Sequence, residues 1–421
     1  MIKSQEGASR AGTVDARAAL TRDRALALDA DDPLASFRER FVIDDPDLVY
    51  LDGNSLGRLP RVSRERVDDV LSTWGERIVS GWDDGWLGLP IDVGDRLAAA
   101  ALGAAAGQVA VGDSTTVCLY KLVSAALDAR PGRTEIVTDV DNFPTDRYVL
   151  EGLAAARGLT IRWLQFERDG GPTAATVADA ITSDTALVTF SHVSYLSAHI
   201  AESRAINEIA HDAGALTLWD LCHSVGSVPV TLDADGTDLA VGCTYKYLVG
   251  GPGAPAFMYV RAELQERLRQ PIWGWLGRRD PFAMAPGFER AAGIQAFLSG
   301  TPPVIALTAV DAGVELVAEA GIDAIRSKGI ALTEYAIELA DARLQADGVD
   351  VLSPRDPDRR GAHVALAHPR AQALTAGLIE RRVVPDFRRP DIIRFGLSPL
   401  TTRFVDVYDG VEALAQLLTT A

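Results

Sequence analysis

The sequence predicts an α/β fold: a large domain whose mostly parallel, mixed sheet is sandwiched by helices, joined to a small α+β domain. Three observations predict it. Short apolar runs at residues 135–138, 160–165, 186–192, 216–221, 239–243 and 256–260 alternate with polar or helix-like stretches, as parallel strands covered on both faces do. After Thr301-Pro302-Pro303 the pattern changes to long helical stretches at 304–319 and 322–346. The length of 421 residues, 48% hydrophobic and 24% charged, suits one large core plus a lobe and excludes a disordered or fibrous chain.

In chain order, residues 48–51 read as a strand. Val67, Val70, Leu71, Trp74 and Ile78 recur at helical spacing ahead of a Trp/Gly-rich turn at 81–88. An Ala-rich stretch at 98–106 is explained by helix propensity alone, and Asp113-Ser114-Thr115-Thr116 precedes a helix-like run at 119–127. The alternating strands follow. Beyond the two long helices, short strands near 349–352, 363–367 and 392–396 lead to a last helix at 405–418. The expected organisation is an N-terminal segment, 1–85, contributing to the small domain, a large ligand-binding domain, 86–303, and a C-terminal small domain, 304–421.

A formal net charge of -17 with no Lys/Arg run disfavours nucleic acid and anionic membrane surfaces as partners. Cys118, Cys222 and Cys243 show no CxxC spacing, so neither a disulfide framework nor a metal site is expected. Arg and Asp recur from Arg10 to Arg24, which leaves no apolar signal-peptide core, and no 18-residue apolar run follows. The expectation is a cytoplasmic protein.

Two motifs carry rival readings. Gly53-Asn54-Ser55-Leu56-Gly57 matches the G-x-S-x-G elbow of serine hydrolases, but the segment before it lacks the preceding central strands. Gly251-Pro252-Gly253-Ala254-Pro255-Ala256 loosely matches a dinucleotide loop, yet its prolines and the strand-like residues after it exclude the helix such a site needs. A stronger signal comes from groups at strand ends. Asp220 ends one apolar run, and Lys246 follows the next, set between Tyr245 and Tyr247. An acid there can hold the ring nitrogen of pyridoxal 5'-phosphate (PLP) protonated, and a lysine can carry the Schiff base and move protons. Taken singly, each has a plainer use as a turn residue or a solvated lysine. Hydroxyls and free amides at Thr115 and Thr116 suit a phosphate, although a plain helix cap is the commoner use. In Asn142-Phe143-Pro144-Thr145-Asp146, Phe143 is placed to lie on a flat ring.

Taken in order, these segments resemble the kynureninase family, together with Tyr50-Leu51-Asp52-Gly53-Asn54-Ser55-Leu56-Gly57, Asp220-Leu221-Cys222-His223-Ser224-Val225-Gly226, Tyr245-Lys246-Tyr247-Leu248, Gly274-Trp275-Leu276-Gly277 and Ser299-Gly300-Thr301-Pro302-Pro303. The resemblance implies a fold-type-I PLP enzyme of the aspartate-aminotransferase-like class, with 86–303 as its cofactor-binding domain. It implies a homodimer with shared active sites that cleaves L-kynurenine to anthranilate and L-alanine in tryptophan catabolism, on the kynurenine pathway that feeds NAD biosynthesis. By position, Lys246 resembles the Schiff-base lysine, Asp220 the pyridinium partner and Phe143 the ring-stacking residue. Thr115, Thr116 and Tyr245 resemble phosphate-side contacts, Tyr245 doubling as a catalytic proton relay, with Trp275 and Thr301 reaching the neighbouring subunit's phosphate. Asp146 and His223 resemble groups around the ring. Arg394 resembles the clamp on the substrate carboxylate, suited to it by its planar fork, with Asn54 and Ser55 also on the substrate. Trp82 resembles the contact to the substrate aryl group, although packing within its Trp-rich turn explains it nearly as well. Relatives that prefer 3-hydroxykynurenine resemble a pattern with histidine at 82 and asparagine at 301, so unmodified L-kynurenine is the expected substrate.

Rival classes are a cysteine or selenocysteine desulfurase, a non-catalytic PLP-fold protein and a serine hydrolase. Desulfurases resemble a pattern with histidine before the lysine and a cysteine on a mobile loop, whereas Tyr245 stands here and the cysteines lie in core-like runs.

Overall fold

The computed structural model describes residues 20–419. The expectation about a leader at the extreme N-terminus therefore lies partly outside the described residues. Strand β1 (Val49–Leu51) is followed by β2 (Val109–Val111), β3 (Glu135–Asp139), β4 (Thr160–Leu164), β5 (Thr185–Ser191), β6 (Leu216–Asp220), β7 (Leu239–Gly242) and β8 (Phe257–Val260). The last seven of these form one sheet in the order β2-β8-β7-β6-β5-β3-β4. The strands from β7 to β4 run parallel, while β8 is antiparallel to both of its neighbours, making the sheet mixed.

Residues of successive strands divide between two apolar clusters, as side chains of period two must when both faces are covered. Leu187, Leu216, Leu218, Leu239, Val241 and Met258 join the helix Thr115–Asp128 on one side. Val188, Phe190, Trp219, Ala240 and Tyr259 pack on the other with Ile206, Ala210, Leu307 and Val310. Carboxyl-terminal strand ends are where such sheets bind ligands; here they present Asp139, Ser191 and Asp220 side by side, with Lys246 shortly beyond β7.

A second sheet holds β9 (Asp350–Val351), β10 (His363–Ala367), β11 (Val383–Arg388) and β12 (Ile392–Gly396), in the order β1-β11-β12-β10-β9. β1 thus crosses from the N-terminal part of the chain to lie parallel to β11. The apolar pattern does not reveal β11, because Pro385 and the charges of Asp386 and Arg388 interrupt it. Pro385 is tolerated beside the three-residue edge strand β1, opposite Leu51. The three-residue β2 is likewise too short to show as a period.

The helix Arg61–Arg77 packs on the helix Val304–Ala320. It stops one residue before the expected Ile78, whose φ of 50° is left-handed, and a 3-10 turn, Ile78–Asp84, carries Trp82 onward. The Ala-rich stretch continues the helix Leu89–Leu97 as a π-turn, Ala98–Leu102. Among the described residues, no helix is long and apolar enough to cross a membrane.

Candidate active site

Among the described residues, three lysines are buried, and two of them are neutralised: Lys121 Nζ lies 2.6 Å from Asp113, and Lys328 Nζ lies 2.6 Å from Asp32. Lys246 differs. Its Nζ contacts His223, 3.2 Å from Nε2, and lies 5.8 Å and 6.0 Å from the ring centres of Phe143 and Tyr245. A buried amine without a carboxylate ion pair is costly unless it serves chemistry. The amine lies in a cavity of about 210 Å³ whose lining includes Thr115, Thr116, Phe143, Asp146, Asp220, His223 and Tyr245.

Each wall follows from local structure. Ser114 caps the helix Thr115–Asp128 by accepting from the Val117 amide, so the amides of its first turn face the cavity mouth. Asp220 closes β6 and accepts from the Cys222 amide at 2.8 Å. Asn142 fixes the loop above β3: its Oδ1 accepts from the Phe143 amide at 2.8 Å and from Ser191 Oγ at 2.8 Å. Phe143 is braced edge-on by Tyr195 at 5.3 Å. Gly57 donates to the Tyr245 carbonyl at 2.8 Å, and a Cβ there would come within 2.4 Å of the Lys246 carbonyl. This close approach, open only to glycine, lays the segment carrying Asn54 and Ser55 against the lysine.

The electrostatics are those of a dry, crowded site. Burial, then the neighbouring Asp220, push the Asp146 carboxyl well above the usual range, and the two acids share a hydrogen bond. Burial, then Lys246 and Arg394, hold His223 well below ordinary imidazole protonation, so it is neutral at pH 7. Burial, then Cys243, raise the Tyr245 phenol, which stays a proton donor. Two adjacent acids facing a flat aromatic wall, an amine and a helix N-terminus suit a cationic heteroaromatic ring bearing a carbonyl and an anionic tail.

Not every expected residue lines this cavity. Arg394 is fully buried on β12, its Nε 2.6 Å from Asp386 and its Nη1 2.6 Å from the Tyr195 carbonyl, and its charge acts on His223 and His363. Trp82 and Thr301 line a different, largely apolar cavity of about 770 Å³ with Trp74, Trp86 and Pro302. Trp275 packs against Phe282 at 5.8 Å. Within one chain, therefore, these three residues are not brought together with Lys246. Thr145, Cys222 and Gly253 also line the lysine cavity, unmarked by the sequence except as neighbours of residues that were.

Ser55 follows a short edge strand of the smaller sheet, and no helix opens until Arg61, so it lacks the strand-turn-helix elbow of a hydrolase nucleophile. Cys118, Cys222 and Cys243 are all buried, none on an open loop as a desulfurase would need.

Residues 325–414 match the family model of the kynureninase C-terminal domain. A kynureninase of Burkholderia pseudomallei is 43% identical over 412 residues, covering 95% of this chain and 96% of that relative. One of Pseudomonas fluorescens is 41% identical over 406 residues, covering 94% and 95%. Among solved structures, a cysteine desulfurase of Thermococcus onnurineus NA1 superposes with a TM-score of 0.79 at 17% identity, covering 92% of this chain and 98% of that one. A cystine C-S lyase superposes with a TM-score of 0.77 at 19% identity, covering 88% and 98%. Identities that low establish a common fold and nothing finer.

Proposed function

Because the chain belongs to the kynureninase family, we propose that it hydrolyses the Cβ–Cγ bond of L-kynurenine, releasing anthranilate and L-alanine, with pyridoxal 5'-phosphate as cofactor. The observation that carries this reading is the buried Lys246 amine, unpaired with any carboxylate, in one cavity with Asp220, Asp146 and Phe143. When bound, the cofactor supplies an electron-withdrawing ring that holds the electron pair left when the substrate Cα proton departs.

The residues divide the remaining work. Lys246 would hold the cofactor, and its amine is placed to remove the substrate Cα proton and return protons to the product carbons. Asp220, with Asp146 beside it, would keep the bound ring protonated. Thr115 and Thr116, at the helix N-terminus, and Tyr245 take the phosphate. Tyr245 also carries a proton to the substrate side chain when water adds to its carbonyl and the carbon–carbon bond breaks. Neutral His223 accepts from the Lys246 amine and steadies it. Arg394, Asn54 and Ser55 bind the substrate.

The enzyme works as a cytoplasmic homodimer in this reading, with Trp275 and Thr301 of one subunit completing the site of the other and Trp82 against the aryl ring. The apolar cavity around Trp82 and Thr301, bordered by the exposed Trp74, Leu59 and Ile305, supports that assignment. Unmodified L-kynurenine is the preferred substrate over 3-hydroxykynurenine, checked as the ratio of their kcat/KM values. The decisive experiment follows the absorbance of purified protein reconstituted with the cofactor and the fluorescence of anthranilate on adding kynurenine. A visible-edge band lost in Lys246→Ala, with anthranilate release by the wild type, is expected. Sulfide release from cysteine without anthranilate would overturn the reading.

A further inference from the structure

Among the described residues, both amide atoms of Asn54 and both ring nitrogens of His363 are buried without a hydrogen bond, beside Arg394, whose guanidinium is ion-paired with Asp386. Folded proteins leave few such groups, because each costs its full desolvation. Such groups beside the lysine's partner His223 mark a ligand's place.

Strand register shows that they share one surface. Residues paired across antiparallel strands point to the same face, as do residues two apart on one strand. His363 is paired with Gly396, and Arg394 with Ala365. His363 and Arg394 therefore stand diagonally on the same face of the smaller sheet, separated only by the small residues Ala365 and Gly396. Asn54 fills the space over Gly396, where a Cβ would come within 1.9 Å of its Oδ1. The His363 ring also lies 5.8 Å from that of His223, which touches Lys246. His363 is thus close both to the amine's partner His223 and to the Arg394 strand position, and it is fully buried. The Leu196 backbone, within hydrogen-bonding reach of the ring, favours its protonated form.

We propose that His363 is a further substrate-binding residue, whose imidazole N–H donates to the substrate α-carboxylate alongside Arg394 and Asn54. This rests on the kynureninase reading above. Burial, then Arg394, hold the imidazole uncharged at neutral pH, so it offers one donor without a second cation beside the guanidinium. A carboxylate has about four lone-pair sites, more than one guanidinium fork fills. The amide of Asn54 and the ring of His363 supply the others.

The test compares the PLP-loaded wild type with His363→Leu and His363→Gln. It measures KM and kcat for L-kynurenine and, by the cofactor's absorbance, the Kd of L-alanine, which has the carboxylate but no aryl ketone. In His363→Leu, KM and the alanine Kd should both rise roughly tenfold with kcat within about threefold of wild type, and His363→Gln, which keeps an N–H, should recover most of both. Should the leucine variant not fold, His363→Ala is held to the same expectation. Unchanged alanine binding in the leucine or alanine variant would overturn the assignment, as would a glutamine variant as impaired as leucine. A wild type that binds alanine but releases no anthranilate would instead overturn the parent reading.

Discussion

A lysine kept from water without a counter-ion has little to do in a core, which makes Lys246 the most informative residue to replace. Lys246→Ala should reduce anthranilate release by about 10³-fold or more, since it removes both the covalent anchor and the proton carrier, while melting stays cooperative. Arg394→Lys keeps the charge but loses the fork. A roughly tenfold rise in KM for kynurenine is expected, worth about 1.4 kcal/mol, and an unchanged KM would remove Arg394 from the substrate. Lys246 and Asp220 were legible in the sequence because each ends or follows an apolar run, and position along a parallel strand already says which end carries ligands. His363 was not. A histidine inside an apolar strand reads as a satisfied core residue, and only the pairing of β10 with β12 puts it beside Arg394. Asp146 was legible as a site residue, but its hydrogen bond to Asp220 is a tertiary fact that no spacing encodes.

At the scale of elements, the strands buried on both faces were readable because nothing polar interrupts them, whereas β11 hid behind Pro385 and its charges. Two elements can be tested directly. Gly313, in the helix Val304–Ala320, lies so close to the turn after Lys246 that a Cβ would stand 1.9 Å from the Leu248 carbonyl. Gly313→Ala should push the helix off that turn, costing about 1–3 kcal/mol of stability, read as a lowered urea midpoint, and reducing activity as well. Asp139, at the end of β3, is raised from 3.8 to about 7, first by burial and then by Asp141. Between those values the folded chain holds a proton that the unfolded chain has released, so this group's contribution to stability falls as pH rises through that window. Asp139→Asn cannot ionise and keeps an oxygen to accept from the Asp141 amide, now at 3.0 Å. It should raise the melting temperature at pH 8 and change it little at pH 4.

At the scale of the whole molecule, Lys246 and the pair Trp82 and Thr301 line separate cavities of one chain. If two subunits share each site, co-expressed Lys246→Ala and Trp275→Ala chains should pair into hybrids with one intact site in two, so that the random mixture shows about a quarter of wild-type activity, more than either variant alone. Purely additive residual activities would argue for sites complete within one subunit. The pairing of β1 with β11 has a consequence for how such a chain is made. Asn54 and Ser55 leave the ribosome early, but the strand that positions them is synthesised near the end of translation. Throughout that interval the early segment has no sheet to join and must be kept from mispairing. Loss of the last few dozen residues would therefore unmoor the amino-terminal half of the pocket together with the carboxyl-terminal half.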